Sequence, residues 1–175
     1  MYFNCLVIHP TFYVDNTKLF SYINSMSFDP IKYLNQFKHT IETDGYITVH
    51  ESFNCIGLYL TKLPWKFKLI RGDFNCGYNE LTTLKGAPEI VNGNYNCSYN
   101  NLTTLKGSPK IVNNWFDCCH NELTTLKGAP ENVCNSFYCN FNQLKTLDYL
   151  PEKIGGKLYF NDNPLPPEEI ALYNL

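Results

Sequence analysis

Between residues 74 and 157 the apolar and polar positions follow one template four times over. FNCGYNELTTLKGAPEIVNGN (74–94), YNCSYNNLTTLKGSPKIVNNW (95–115), FDCCHNELTTLKGAPENVCNS (116–136) and FYCNFNQLKTLDYLPEKIGGK (137–157) align without insertion at a period of 21 residues. Each opens aromatic-x-Cys, an alternation of period two that predicts a short strand. An asparagine comes three residues after the cysteine, then two leucines three apart, a Pro-containing turn, and a Val or Ile. LYFNDNPL (158–165) starts a further copy. FNCIGLYLTKLPWKFKLIRGD (53–73) keeps the aromatic, the cysteine and the leucines but has Leu58 at the asparagine slot. Ahead of the repeats, Ile31, Leu34, Phe37, Lys38 and Ile41 set a 3–4 spacing behind Asp29 and Pro30. This predicts a helix with Asp29 as N-cap and with Gly45 following its stop. A second helix is expected over 17–26, YITVH (46–50) reads as a strand leading into the repeats, and NPLPPEEIALYNL closes with prolines and a short helical turn.

A 21-residue unit cannot enclose a core, so the units must stack and bury their apolar positions against neighbours. Stacking turns each position into a column. Phe74, Tyr95, Phe116, Phe137 and Leu158 form one inward column, and Cys55, Cys76, Cys97, Cys118, Cys139 and Phe160 the next. Leu81, Leu102, Leu123, Leu144 and Leu165 make a third, Leu84, Leu105, Leu126 and Leu147 a fourth, and Val91, Val112, Val133 and Ile154 line the far side. Asn79, Asn100, Asn121, Asn142 and Asn163 make an inward polar ladder. Their amides offer both a donor and an acceptor to backbone groups that lose sheet partners as strand becomes arc.

The unit aromatic-x-Cys-x-x-Asn-x-Leu-x-x-Leu-x-x-x-Pro-x-x-Val resembles the leucine-rich repeat, in particular the short bacterial and viral variety. The resemblance covers roughly residues 53–165 and departs from the commonest pattern in placing aromatic and cysteine residues where leucines stand in the strand. It implies an α/β solenoid: an arc with one short parallel strand per repeat on the concave face, an extended or polyproline-like convex side, and a helical amino-terminal cap. The expected organisation is a cap over 1–52 with a leading strand, repeats over 53–157, and a last partial repeat with carboxyl cap over 158–175.

Charge and composition narrow the function classes. The chain has 14 basic and 16 acidic side chains among 175 residues, which argues against a general nucleic-acid or anionic-membrane binder. The opening MYFNCLVIHPTFYVD lacks a basic leader and its apolar run is cut by His9 and Pro10, so neither a secretory signal nor a membrane span is expected. The expectation is a cytoplasmic protein whose eight cysteines stay thiols. Abundant Tyr, Phe and Asn beside scarce Ala fit an AT-rich genome, hence a viral or phage protein acting in a host cytoplasm.

WFDCCHNEL (115–123) concentrates the chemistry-bearing side chains. The repeat divides them. Cys76, Cys97, Cys118 and Cys139 belong to a core column and cannot converge on a tetrahedral metal, so no metal or cofactor is expected. By register Cys119 points outward with Trp115 and Asp117, beside His120, and a thiol near an imidazole and a carboxylate could act as a nucleophile. Its equivalents Gly77, Ser98, Asn140 and Asn161 are unremarkable surface residues, and no oxyanion turn accompanies it, so a non-enzymatic reading leads. The outward columns present Tyr78, Tyr99, Trp115, Asp117, His120, Tyr138, Phe141 and Tyr159, the aromatic-with-polar mixture that protein interfaces use. The expected function is protein binding through this concave face, on a host factor if the chain is viral. The alternative is a nucleotide-like ligand held between these rings and the lysine column Lys85, Lys106 and Lys127. The thin carboxyl cap also offers a surface for a homodimer.

Overall fold

The computed structural model describes residues 28–173. The expected helix over 17–26 lies outside them. The described chain begins with a single helical turn, α1 (Pro30–Leu34), followed by an antiparallel hairpin of β1 (His39–Ile41) and β2 (Ile47–Val49). It then winds as a solenoid in which successive coils contribute two short strands each. These are β3 (Phe53–Asn54) and β4 (Phe67–Ile70), β5 (Phe74–Asn75) and β6 (Ile90–Val91), and β7 (Tyr95–Asn96) and β8 (Ile111–Val112). The series continues with β9 (Phe116–Asp117) and β10 (Asn132–Val133), β11 (Phe137–Tyr138) and β12 (Lys153–Ile154), and β13 (Leu158–Tyr159), before α2 (Pro167–Ala171). The odd strands from β3 to β13 form a six-stranded parallel sheet; β2 and the even strands form a second, with β1 at its edge.

The register is the sequence period made physical. Phe74 pairs with Tyr95, Tyr95 with Phe116, Phe116 with Phe137 and Phe137 with Leu158, each 21 residues on. Because no coil carries an insertion, every side chain lands on its equivalent. The inward columns are buried as expected: Phe74, Tyr95, Phe116 and Phe137, the cysteines 76, 97, 118 and 139, and the leucines 81, 84, 102, 105, 123 and 126 are all inaccessible to solvent. The degenerate coil joins the same core through Phe53, Cys55, Leu60, Leu63 and Ile70. Adjacent rings lie nearly parallel, with centroids 5.0 Å apart for Tyr95 and Phe116 and 5.2 Å for Phe116 and Phe137.

The cysteine column shows why a thiol suits that slot. Each sulfur donates to a carbonyl of the next coil, Cys76 Sγ to Asn96 O at 3.4 Å and Cys118 Sγ to Tyr138 O at 3.2 Å. A small apolar residue with a weak donor thus fills space and satisfies a lone pair together. Burial pushes the Cys76 thiol up to about 12 and raises Cys97 and Cys118 as well.

Two expectations need correction. The far side is not merely extended: its two-residue strands bond coil to coil into a second parallel sheet, as in Glu89 N to Lys68 O and Lys110 N to Glu89 O. Perfect register supplies a partner for any extended stretch, so pairing follows. The helical cap is also far shorter than the spacing predicts. Asp29 does cap α1, its Oδ1 accepting from Ile31 N at 2.9 Å and Lys32 N at 3.1 Å, but the helix ends at Leu34 and Ile41 lies exposed in β1. Thr43-Asp44-Gly45 forms a turn, with Asp44 Oδ1 accepting from Tyr46 N at 3.0 Å. That turn folds His39–Ile41 back onto β2, where it covers a sheet edge otherwise left unpaired. The core's amino end is sealed by aromatics: Trp65 packs on Phe53, Phe67, Phe28 and Tyr33, and its Nε1 donates to Pro30 O at 3.0 Å. At the carboxyl end Glu169 Oε1 accepts from Leu147 N at 2.8 Å and so ties α2 to the last full coil.

Candidate aromatic interface

The outer surface of the six-stranded sheet is set by what happens just after each strand. The residue two positions past the cysteine slot takes a left-handed conformation in successive coils: Tyr78, Tyr99, His120, Phe141 and Asp162 have φ between +51° and +57°. This corner lets the strand turn into the arc, and glycine would adopt it most easily. Four coils place a ring there instead. The rings stack face to face: Tyr78 on Tyr99 at 4.2 Å, Tyr99 on His120 at 4.1 Å, and His120 on Phe141 at 4.3 Å, all within 12° of parallel.

A second aromatic group rises from the strands themselves. Tyr138 stacks on Tyr159 at 4.6 Å, and the Trp115 ring meets Tyr138 edge-on at 6.4 Å. In the earlier coils the same column holds Asn54, Asn75, Asn96 and Asp117, whose Oδ1 atoms accept from the backbone N–H two residues on. All eight outward residues singled out by the repeat therefore lie on one sheet face, in two columns beside the Trp115 turn. Phe141 and Tyr78 are the most exposed of them, at 44% and 40%.

Two outward assignments, Cys119 and Ser98, need revision. Cys119 is fully buried; its N–H donates to Asp117 Oδ1 at 2.8 Å and its Sγ lies 3.6 Å from Asn140 Oδ1. The slot between the two columns is narrow, and at the equivalent Gly77 a Cβ would already come within 3.1 Å of Ser98 O. Ser98 and Ser136 are buried too, Ser136 Oγ serving to accept from Lys157 N at 3.1 Å across the turn between the sheets. Asp73 does the same for Asn94 N at 2.7 Å. The group Asp117, Cys119 and His120 is thus a turn acceptor, a buried thiol and a rung of the ring stack. Burial raises the Asp117 carboxyl, opposed by the Cys119 N–H and thiol; burial lowers the His120 imidazole, opposed by the charges of Asp117 and Asp162.

The sequence reading missed Tyr59 and Ile56, exposed at 50% and 40%. They sit in the degenerate coil, at the positions of Glu80 and Gly77, which hold no aromatic residue in the regular repeats. Lys85, Lys106 and Lys127 are exposed as expected, but each follows both leucines of its coil and so stands on the arc beyond the ring columns.

Compared with known proteins, the chain matches no family model, no curated protein and no solved structure. Among the described residues no helix is long and apolar enough to cross a membrane.

Proposed function

We propose that this chain is a non-enzymatic, leucine-rich-repeat-like module that binds a protein partner through the outer face of its six-stranded sheet. The observation that carries the reading is the ring column at the left-handed corner. A non-glycine residue held there costs on the order of 1–2 kcal/mol, and a stacked aromatic pair returns about 0.5–1.5 kcal/mol. Stability alone therefore gives little reason to prefer four rings over four glycines. A continuous aromatic strip beside Trp115, Tyr138 and Tyr159 does suit an interface, where such residues supply most hot spots. Six strands about 4.8 Å apart span roughly 25 Å, enough for a contact of about 800 Å² per partner. The 21-residue period, inward asparagines and parallel strands support the leucine-rich-repeat kinship. The abundance of Tyr and Phe supports a viral or phage origin and action on a host factor in the cytoplasm.

The test separates binding from folding by using Tyr138→Asn. The asparagine can restore the turn bond that Asn75 and Asn96 make, while removing the ring. A photo-crosslinking amino acid at Tyr99 should yield a discrete protein adduct, and the same group at Lys106 should not. Tyr138→Asn should weaken the Tyr99 adduct at least fivefold without lowering Tm. Equal adducts from both positions, or an adduct indifferent to Tyr138→Asn, would sink the reading.

A further inference from the structure

The ring column stops one coil short at its amino end, and the stop leaves a gap of defined shape. The degenerate coil follows the same backbone path as far as the corner and departs from it only beyond, at Tyr59 (φ +55°): Gly57 has φ +65°, and its N–H donates to Gly77 O at 3.2 Å just as Tyr78 N–H donates to Ser98 O at 3.0 Å. Gly57 is therefore the ring position of its coil without a ring. A Cβ built there would meet nothing nearer than Tyr78 O at 4.0 Å. One face of Tyr78 is covered by Tyr99; the other is turned toward the preceding coil, whose equivalent position is Gly57. Bulk and gap have also changed places: Ile56-Gly57 occupies the positions of Gly77-Tyr78, so an exposed apolar side chain stands immediately beside the vacant rung. At the opposite end the next position in the column is a polar residue, Asp162, which carries no ring and sets a carboxylate beside Phe141 where the amino end has the apolar Ile56.

We propose that this gap is a slot for one aromatic side chain of a protein partner, which enters over Gly57, stacks on the open face of Tyr78 and packs against Ile56. The inference rests on the protein-binding reading above and supplies its anchor. Neighbouring rungs 4.1–4.3 Å apart define the depth of one planar ring. Stacking on a neutral phenol with an aliphatic neighbour suits Phe, Tyr or Trp, whose aromatic faces prefer such contacts. Glu80, exposed two residues beyond Tyr78, disfavours a base that carries phosphate.

The test is an NMR titration of the full chain with N-acetyl-tryptophanamide and N-acetyl-tyrosinamide, with N-acetyl-leucinamide and adenosine monophosphate as comparators. Saturable shifts at the Gly57 amide and the Tyr78 ring are expected with both aromatic amides, at least tenfold weaker with the leucine amide and the nucleotide. Gly57→Tyr places the chain's own ring in the slot, at a φ that Tyr78 and Tyr99 already adopt, and should weaken the amides at least tenfold. Gly57→Ala, which adds no ring, should weaken them less than threefold. Should Gly57→Tyr fail to fold, Tyr78→Leu removes the stacking wall and should give the same loss. No saturable shift at Gly57 and Tyr78, equal binding of the leucine amide, tighter binding of the nucleotide, or unaltered binding by the filled or wall-less variant would each overturn the slot. If the amides fail while the Tyr99 cross-linker still captures its partner in a Tyr138-dependent way, the slot falls and the protein-binding reading stands.

Discussion

Replacing Asn121 by alanine should expose how the polar ladder shares its load. Asn121 Oδ1 accepts from Leu102 N at 3.0 Å, and its Nδ2 donates to Cys97 O at 3.0 Å and to Cys118 O and Cys119 O at 3.2 Å. The carbonyls have second partners: Cys97 O also receives Asn100, Cys118 O receives Asn142, and Cys119 O receives Tyr99 N. The alanine therefore orphans one buried group outright, the Leu102 N–H. That costs about 1–3 kcal/mol, and the vacated space brings the expected total to roughly 2–4 kcal/mol. Adding Asn100→Ala strips Cys97 O of both donors, so the double variant should exceed the sum of the singles by about 1–3 kcal/mol. Asn100 and Asn142 share no carbonyl, and that pair should add within about 0.5 kcal/mol. Urea denaturation followed by circular dichroism measures all of these. Equal coupling in adjacent and separated pairs, or a cost below about 0.5 kcal/mol for Asn121→Ala, would refute the shared-acceptor account.

Other substitutions test neighbouring parts of the coil. The Tyr95 hydroxyl is buried with no hydrogen-bond partner of good geometry, only the Cys76 thiol bearing on it, in a column whose neighbours Phe74 and Phe116 carry no hydroxyl. Tyr95→Phe should raise stability by about 1 kcal/mol in urea denaturation, since an unsatisfied buried hydroxyl is a net cost; destabilisation would show the hydroxyl to be paired. Asp117→Asn keeps the acceptor for Cys119 N–H and removes a carboxyl whose folded value burial raises above 3.8. The native state then takes up protons more readily than the unfolded chain, so wild-type stability climbs as pH falls through that window. The asparagine variant should therefore be more stable at neutral pH and lose its advantage below about pH 4, read as Tm against pH. Native thiol titration in a Cys5→Ser background should show one fast equivalent, Cys134, the exposed member of the described cysteines. A second fast equivalent at Cys119 would mean that the coil opens there.

What the sequence made legible is what repeats. Phe74, Cys76, Asn79, Leu81, Leu84 and Val91 recur at fixed intervals, and stacking leaves each a single environment, so core and ladder followed from period and polarity. The second sheet was not legible, because a two-residue strand carries no period of its own; it exists through register with neighbours. The amino cap misled for a related reason. Ile31, Leu34 and Phe37 have helical spacing, yet the edge at β2 favoured a hairpin, and tertiary pairing outweighed a weak local preference. Cys119 misled through simple alternation. Strand parity places it opposite Cys118, but the chain has already begun its corner, and the Asp117 carboxylate and the left-handed His120 enclose it. The ring stack was partly readable: Tyr78, Tyr99, His120 and Phe141 share a slot, while their left-handed backbone carries no signature in residues of that type.

The strand column bears on function independently of the ring stack. From Asn54 to Asp117 it is an acidic or amide residue, and each time Oδ1 satisfies the N–H two residues ahead. A tyrosine has no oxygen that can fold back to that N–H. At Tyr138 and Tyr159 the chain gives up a structural bond worth about 1 kcal/mol and presents two stacked phenols instead. The exchange is confined to the last two coils, beside Trp115, while the inward residues of the Tyr138 coil keep the template at Phe137, Cys139, Asn142 and Leu144. Drift would relax inward and outward positions together, as happens in the Tyr159 coil, where Leu158 and Phe160 take the aromatic and cysteine slots; the Tyr138 coil keeps them. In the Tyr138 coil relaxation is confined to the outer face and runs toward a large ring, as a binding surface requires. A Tyr138→Asn, Tyr159→Asn variant should therefore gain stability in urea while losing partner capture, and a variant that loses both would return these rings to the category of structural support.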